Sequence, residues 1–156
     1  MTGLTRISHR WLLLAALTLG GCGADDRVQL ADGNRVRFED WQGQWLIVNY
    51  WAEWCAPCRK EIPELNLLHS EGAERRAVVL GVNYDGLTGE ALANLAREMG
   101  IEFPVLEADP RERWGAELPA VLPSTLIVSP DGKLSQVLVG PQHYEDLLRA
   151  IAATPG

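Results

Sequence analysis

Two cysteines with two residues between them, Cys55 and Cys58, follow an apolar and β-prone run at 45–51. The run predicts a buried central strand, and Pro57 suits the first turn of a helix that begins at the cysteines. This spacing on a first helical turn brings the two sulfur atoms within disulfide range. The helix N-terminus also favours a thiolate at Cys55. The pattern therefore predicts a reactive pair, with Cys55 as the nucleophile and Cys58 as the resolving thiol.

A structural disulfide and half of a zinc site are the two other interpretations of this pair. A bridge across so short a loop restricts little chain entropy, which argues against a purely structural role. The sequence contains no second CxxC and no histidine pair spaced to complete four zinc ligands. Redox chemistry is therefore the favoured interpretation, and we predict neither a metal nor a cofactor.

The rest of the chain alternates strand and helix patterns. Pro63 lies inside the helix that follows the cysteines and predicts a bend there. A Pro-Asp-Gly sequence between the last two apolar runs predicts a hairpin. The predicted strands are 28–30, 35–38, 45–51, 77–83, 103–106, 124–128 and 134–139, and the predicted helices are 55–70, 88–99 and 144–153. This order predicts an α/β fold with a central mixed β-sheet flanked by helices.

The N-terminus has the pattern of an export signal. Residues 1–10 carry two arginines and no acid, and the apolar run at 11–19 is far shorter than the roughly 20 residues of a spanning helix. The run ends at Leu-Gly-Gly-Cys22, which resembles the lipobox of bacterial lipoproteins. We therefore predict a lipoprotein signal peptide at 1–21, lipidation of Cys22, a tether at 22–27 and one domain at 28–156. An ordinary signal peptide with a chance cysteine and a short uncleaved anchor are the alternatives.

Residues 45–65, WLIVNYWAEWCAPCRKEIPEL, resemble the active-site block of the thioredoxin superfamily, and specifically of its membrane-anchored TlpA/ResA/DsbE-type branch. Residues 122–128, followed by Pro-Asp-Gly, are similar to the cis-proline loop and hairpin of that family, and 81–85 resemble its middle strand. The resemblance covers about residues 28–153. It implies a thioredoxin-like fold and a thiol–disulfide oxidoreductase.

The resemblance also implies roles for residues around the cysteines. Pro123 is expected to be the cis proline beside the disulfide, which places the Leu122 backbone where a substrate strand can pair with it. Trp54, Pro57 and Leu122 are the expected substrate contacts. Asn49 stands where thioredoxin carries a buried aspartate, and an asparagine cannot accept a proton.

Glu61 lies three residues after Cys58, on the same helical face. In the TlpA/ResA-type branch a glutamate at this position assists proton transfer, so the resemblance adds Glu61 to Cys55, Cys58 and Pro123 as a catalytic residue. The alternative is a glutamate of the first helical turn that is favoured only by the helix dipole.

The dipeptide between the cysteines indicates the direction of electron flow. Ala56 and Pro57 supply no cation to stabilise a thiolate, so we predict a reductant of protein disulfides. The resemblance implies an oxidised protein substrate such as apocytochrome c, and a membrane electron donor of DsbD/CcdA type. We expect a lipid-anchored monomer outside the cytoplasm, and the net charge of −7 gives no case for nucleic acid. The alternatives are a peroxiredoxin-like peroxidase and a non-catalytic copper-binding or assembly chaperone with the same fold.

Overall fold

The computed structural model of the chain describes residues 27–152. The predicted signal peptide and the lipobox cysteine, Cys22, lie outside these residues. No helix among the described residues is both long enough and apolar enough to cross a membrane.

Seven strands and four α-helices form the described part of the chain. The strands are β1 (Val28–Gln29), β2 (Arg35–Val36), β3 (Trp45–Trp51), β4 (Ala77–Asn83), β5 (Val105–Leu106), β6 (Ser124–Val128) and β7 (Leu134–Val139). The helices are α1 (Ala56–Ser70), α2 (Gly72–Arg75), α3 (Gly89–Glu98) and α4 (Tyr144–Ala152), with short 3-10 helices at Phe38–Trp41 and Arg111–Trp114.

Five of the strands form one mixed sheet in the order β5-β4-β3-β6-β7. β3 is the central strand, parallel to β4 and antiparallel to β6, while β7 lies at one edge and continues from β6 as a hairpin. All seven residues of β3 are buried, which is why this strand is apolar along its whole length. The predicted α/β fold with a central mixed sheet flanked by helices is confirmed.

The two faces of the sheet are covered differently. On one face α1 and α4 pack through Leu65, Leu68 and Leu147 against Ile47 of β3. The opposite face is covered without a long helix, by N-terminal residues that include Phe38 and by the segment around the second 3-10 helix. The cysteine motif begins helix α1, so it lies on the side of the sheet that α1 and α4 cover.

Gly81 in β4 marks a close approach between the sheet and the groups packed on it. A Cβ atom at this position would lie 3.0 Å from Trp51 Nε1 and 3.1 Å from side-chain atoms of both Phe103 and Val105. These separations are tighter than ordinary carbon contacts, so a side chain here would require its neighbours to shift by a few tenths of an ångström. The missing side chain of Gly81 leaves room for the indole of Trp51 beside β4.

The structure corrects several predicted bounds. The strand predicted at 35–38 ends at Val36, because Phe38 already belongs to a 3-10 helix. The strand predicted at 103–106 begins only at Val105, since Pro104 has no N–H to donate. Helix α1 begins at Ala56, one residue later than predicted, and includes Pro63, while α2 and the two 3-10 helices were not predicted.

Candidate active site

Cys55 and Cys58 form a disulfide, with an S–S distance of 1.99 Å and a Cα–Cα distance of 5.3 Å. Cys55 caps helix α1 and Cys58 lies in its first turn. Both side chains are almost wholly buried, at 3% and 1% exposure. The predicted pairing is confirmed, and the bond lies at the carboxyl end of the central strand.

The start of helix α1 favours negative charge on Cys55. The backbone N–H of Cys58 donates to Cys55 Sγ over 3.3 Å. The first turn contains no acidic residue that would oppose a thiolate. Since the free N–H groups and the dipole of a helix stabilise an anion at its N-terminus, Cys55 is placed to act as the thiolate once the disulfide opens.

An apolar cluster supports the disulfide from the interior. Trp51 and Ile62 belong to the same buried cluster as the two cysteines, and Leu122 packs against it. This packing fixes the position of the disulfide on its interior side.

Glu61 is buried beneath the motif, with 1% of its surface exposed. Its Oε2 accepts a hydrogen bond from Asn49 Nδ2 at 3.0 Å, and its Oε1 accepts one from the backbone N–H of Gln142 at 3.1 Å. Burial raises the pKa of Glu61 to about 7, although the bonds from Gln142 and Asn49 act to lower it. A carboxyl group with such a pKa exchanges its proton near neutral pH.

Asn49 connects Glu61 to the sheet. Its Nδ2 donates both to Glu61 and, over 3.0 Å, to Thr125 Oγ1 of the neighbouring strand β6. Asn49 and Thr125 are register partners, so both side chains lie on the same face of the sheet as helix α1. The asparagine therefore orients the carboxylate and carries no proton itself.

Trp54 forms the exposed border of the motif, with 65% of its surface in contact with solvent. Its Nε1 donates to the carboxylate of Asp85, at 3.2 Å from each oxygen. The Tyr84 ring meets the indole edge to face, at 6.4 Å between centroids. These contacts hold the exposed indole ring beside the cysteine motif. Pro57, which lies between the two cysteines, is exposed as well.

The peptide bond between Leu122 and Pro123 is cis, as the sequence resemblance implies. Pro123 is buried, while Leu122 is half-buried and packs against the cysteine cluster. The carbonyl of Pro123 accepts a hydrogen bond from the N–H of Gly140 at 2.8 Å. The loop before β6 and the end of β7 are thereby joined beside the motif.

Sequence reasoning missed two residues of this site, Asp85 and Gln142. Asp85 lies just after β4, which is parallel to β3. Because the carboxyl ends of parallel strands lie at the same end of a sheet, the strand pattern could have predicted that Asp85 lies near the cysteine motif. Gln142 contributes its backbone N–H to Glu61 from 81 residues away. A contact made through the backbone leaves no signal in residue type.

The fold and the paired cysteines together define a protein of the thioredoxin superfamily with a CxxC disulfide at the start of a helix. A sequence model of the AhpC/TSA family matches residues 22–137, and the chain belongs to that family.

Characterised relatives agree with this class. The thiol-disulfide oxidoreductase ResA of Bacillus thuringiensis is 28% identical over 116 residues, which are 74% of this chain and 66% of that protein, just under two thirds of its length. A thiol:disulfide interchange protein of the thioredoxin family from Chlorobium tepidum is 27% identical, with a TM-score of 0.70 over 83% of this chain and 92% of that one. The exposed lipoprotein thioredoxin Etrx1 of Streptococcus pneumoniae is 25% identical, with a TM-score of 0.65 over 84% of this chain and 100% of that one.

Proposed function

We propose that this chain reduces disulfide bonds of other proteins outside the cytoplasm, cycling between the Cys55–Cys58 disulfide and the dithiol. The observation that carries the proposal is the placement of the disulfide at the start of α1, with a buried carboxyl group, Glu61, one turn further along the helix. This arrangement combines an activated sulfur, a resolving sulfur and a proton carrier.

The reaction exchanges one disulfide for another. The Cys55 thiolate attacks one sulfur of the substrate disulfide, which forms a mixed disulfide and releases the other substrate sulfur as a thiolate. Cys58 then loses its proton and attacks Cys55 Sγ, which closes the Cys55–Cys58 bond and releases the second substrate sulfur. Two electrons pass from the cysteine pair to the substrate, and the two substrate thiolates take up the proton lost by Cys58 and one proton from solvent.

Glu61 is proposed to take the proton of Cys58 in the second step. The carboxyl lies three residues beyond Cys58 on the same helix, and its pKa of about 7 lets it accept and return a proton at neutral pH. Asn49 and the backbone of Gln142 hold the two oxygens in place. The neutral amide of Asn49 leaves Glu61 as the titrating member of this pair.

The dipeptide between the cysteines supports a reductant in preference to an oxidant. Ala56 and Pro57 carry no charge, so neither side chain stabilises a thiolate at Cys55. Strong oxidants of this kind have an unusually stabilised reduced form, and a neutral dipeptide adds no such stabilisation.

Location and partners follow from the N-terminal pattern and the relatives. The Leu-Gly-Gly-Cys22 sequence supports a lipid anchor, and one structural relative is itself described as an exposed lipoprotein thioredoxin. A reductant in an oxidising compartment needs electrons from across the membrane, so we propose a membrane donor of DsbD/CcdA type. Apocytochrome c, in cytochrome c maturation, is the substrate we propose to test first.

A redox titration against glutathione, followed by tryptophan fluorescence, tests the direction. We expect a potential below about −200 mV, nearer to thioredoxin at about −270 mV than to DsbA at about −120 mV. The reduced protein should also reduce insulin, and Cys58→Ala should trap substrates as mixed disulfides on Cys55. A potential near −120 mV would reverse the proposed direction. Rapid consumption of hydrogen peroxide by the dithiol, without insulin reduction, would favour a peroxidase.

A further inference from the structure

A short turn, Gly140-Pro141-Gln142, connects β7 to α4 and supplies one of the two hydrogen bonds to Glu61. The backbone N–H of Gln142 donates to Glu61 Oε1 over 3.1 Å. Burial raises the pKa of Glu61, and of the two hydrogen bonds that lower it, the one from Gln142 has the larger effect. The position of this turn therefore affects how readily Glu61 gives up its proton.

The side chain of Gln142 has a separate contact, which bonds the turn to itself. Its Nε2 donates to the backbone carbonyl of Gly140 over 2.8 Å. A carbonyl oxygen can only accept, so the amide presents its NH2 group to Gly140. Gln142 thus uses its backbone to bond Glu61 and its side chain to hold the turn from which that backbone N–H points.

The first part of the turn is fixed independently of Gln142. The N–H of Gly140 donates to the carbonyl of Pro123 at 2.8 Å, which ties the turn to the loop before β6. Gly140 has a φ of +86°, which residues with a side chain rarely adopt. The ring of Pro141 limits its own φ. The backbone is therefore restricted at the first two residues of the turn, and the amide of Gln142 restricts it at the third.

Helix α4 begins against the same helix that carries Glu61. The N–H of Tyr144 donates to Glu64 Oε2 at 3.0 Å, one turn along α1 from Glu61. Two backbone N–H groups at the start of α4 are thus satisfied by two carboxyl groups of α1. The positive end of the α4 dipole also favours the ionised form of Glu61. A displacement of the turn would weaken both effects on Glu61.

We propose that Gln142 is a positioning residue for disulfide reduction: its side-chain amide fixes the turn that delivers a backbone N–H to Glu61, and so keeps Glu61 able to receive the proton of Cys58. The inference rests on the proposed function, in which Glu61 carries this proton. Gln142 acts through the turn and through Glu61, and not on the sulfur atoms.

The surroundings of Glu61 allow its proton affinity to be measured separately. The side chains of β3 and β6 that form its hydrogen-bond network, Asn49 and Thr125, are neutral. The titratable groups on the segments that enclose it are Cys58, Lys60 and Glu64 of α1, and His143, Tyr144, Glu145 and Asp146 at the start of α4. Cys58 does not titrate in the disulfide, and the others are the same in each variant below. A difference between variants of the oxidised protein therefore reports on Gln142.

The variant Gln142→Met keeps the length of the side chain but cannot donate to Gly140. NMR of oxidised protein labelled with 13C at the glutamate carboxyl groups follows the titration of Glu61, whose signal is identified by its loss in Glu61→Gln. We expect Gln142→Met to raise the proton affinity of Glu61 by roughly three- to tenfold, because a hydrogen bond to its charged form is weakened.

Gln136→Met is the matched control for this titration. Gln136 Nε2 also donates to a backbone carbonyl, that of Ala150 at 3.1 Å, but Gln136 lies in β7 and outside the turn. The control should leave the proton affinity of Glu61 unchanged. Gln142→Ala removes the same amide and carries the experiment if the methionine variant does not fold.

Insulin reduction tests whether the turn matters for the reaction. With a higher proton affinity, less Glu61 is ionised at pH 7, so Gln142→Met should be a fewfold slower than the wild type there and should approach the wild-type rate at about pH 8.5. Glu61→Gln cannot recover in this way. The double variant Glu61→Gln, Gln142→Met should match Glu61→Gln alone at every pH, because Gln142 acts only through Glu61.

The outcomes separate this inference from the proposed function. If the proton affinity of Glu61 is unchanged or lower in Gln142→Met, or rises equally in Gln136→Met, the positioning role is wrong and the proposed function stands. If the affinity rises but the pH profile of insulin reduction does not move, or if the double variant is slower than Glu61→Gln alone, Gln142 does not act on the reaction through Glu61 and the inference is again wrong. If the wild type reduces no insulin at any pH, both are wrong.

Discussion

Asn49 and Glu61 are joined side chain to side chain in the core, with 3.0 Å between Asn49 Nδ2 and Glu61 Oε2. The amide of Asn49 is a hydrogen-bond donor that does not titrate near neutral pH. Burial raises the pKa of Glu61, whereas its hydrogen bonds lower it, and the balance is a pKa of about 7. This pair makes the site's pH dependence accessible to experiment.

Replacing Glu61 with glutamine should slow reduction of insulin by roughly tenfold or more, because an amide cannot carry the proton of Cys58. The variant should still fold. The Asn49 amide can turn so that its oxygen accepts a hydrogen bond from the new NH2 group. The hydroxyl of Thr125 can then donate to the same Asn49 oxygen. The pH profile of Cys55 alkylation should lose one titration step, since coupled groups share their apparent pKa values.

Glu53→Gln is the control for that experiment, because Glu53 is exposed in the loop before the motif. It should leave the exchange rate unchanged. Wild-type exchange by Glu61→Gln across pH 6–9 would show that Glu61 is only a structural residue of the helix and that the proton leaves through water or substrate.

The same carboxyl should make the oxidised protein less stable as pH rises. A carboxyl whose pKa is about 7 when folded and about 4.5 when unfolded holds more protons in the folded state between these values. The stability it confers is complete below pH 4.5 and is lost as pH rises to 7. Between pH 5 and 8 the free energy of unfolding should fall on the order of 2 kcal/mol from this group.

Urea unfolding of the wild type and of Glu61→Gln at pH 5, 6, 7 and 8 measures this effect. As pH rises, the unfolding free energy of the wild type should fall relative to that of Glu61→Gln. A difference that stays constant over this range would mean that Glu61 is ionised, or protonated, throughout.

Asp85→Ala should release the indole of Trp54, since the two carboxylate oxygens are its hydrogen-bond acceptors. Time-resolved fluorescence anisotropy should show faster local motion of the Trp54 indole. The measurement requires a protein in which Trp54 is the one remaining tryptophan, or in which Trp54 alone is labelled. Insulin reduction should slow a fewfold, while the rate with oxidised glutathione should not change. Asp85→Asn keeps an acceptor oxygen and should restore most of the protein-substrate rate; if both variants match the wild type, the contact does not orient Trp54 for substrate.

Cys22 supplies a separate prediction that concerns the N-terminus. One acyl chain binds membranes only marginally, and two bind stably. The protein expressed in a bacterial host should incorporate radioactive palmitate and sediment with membranes, and Cys22→Ser should abolish both. Label retained by Cys22→Ser would contradict the lipobox interpretation.

The sequence predicted the parts of this molecule that depend on local pattern. Strands β3, β4, β6 and β7 have the predicted bounds, because each is a buried or hairpin-flanked apolar run. The cysteine pair and the position of Glu61 followed from spacing along one helix. The hydrogen bond from the Gln142 backbone to Glu61 did not, because it joins residues 81 apart in the chain and involves no side chain of Gln142.

Gly81 sets a limit on how this active site can vary. A Cβ atom at this position would lie 3.0 Å from Trp51 Nε1, so a side chain here requires a shift of a few tenths of an ångström in a residue of the buried cluster that contains Cys55 and Cys58. In a library of random substitutions, position 81 should therefore behave like part of the catalytic motif, even though its own strand carries no cysteine. A substitution on the neighbouring strand is therefore expected to reach the disulfide through the indole of Trp51.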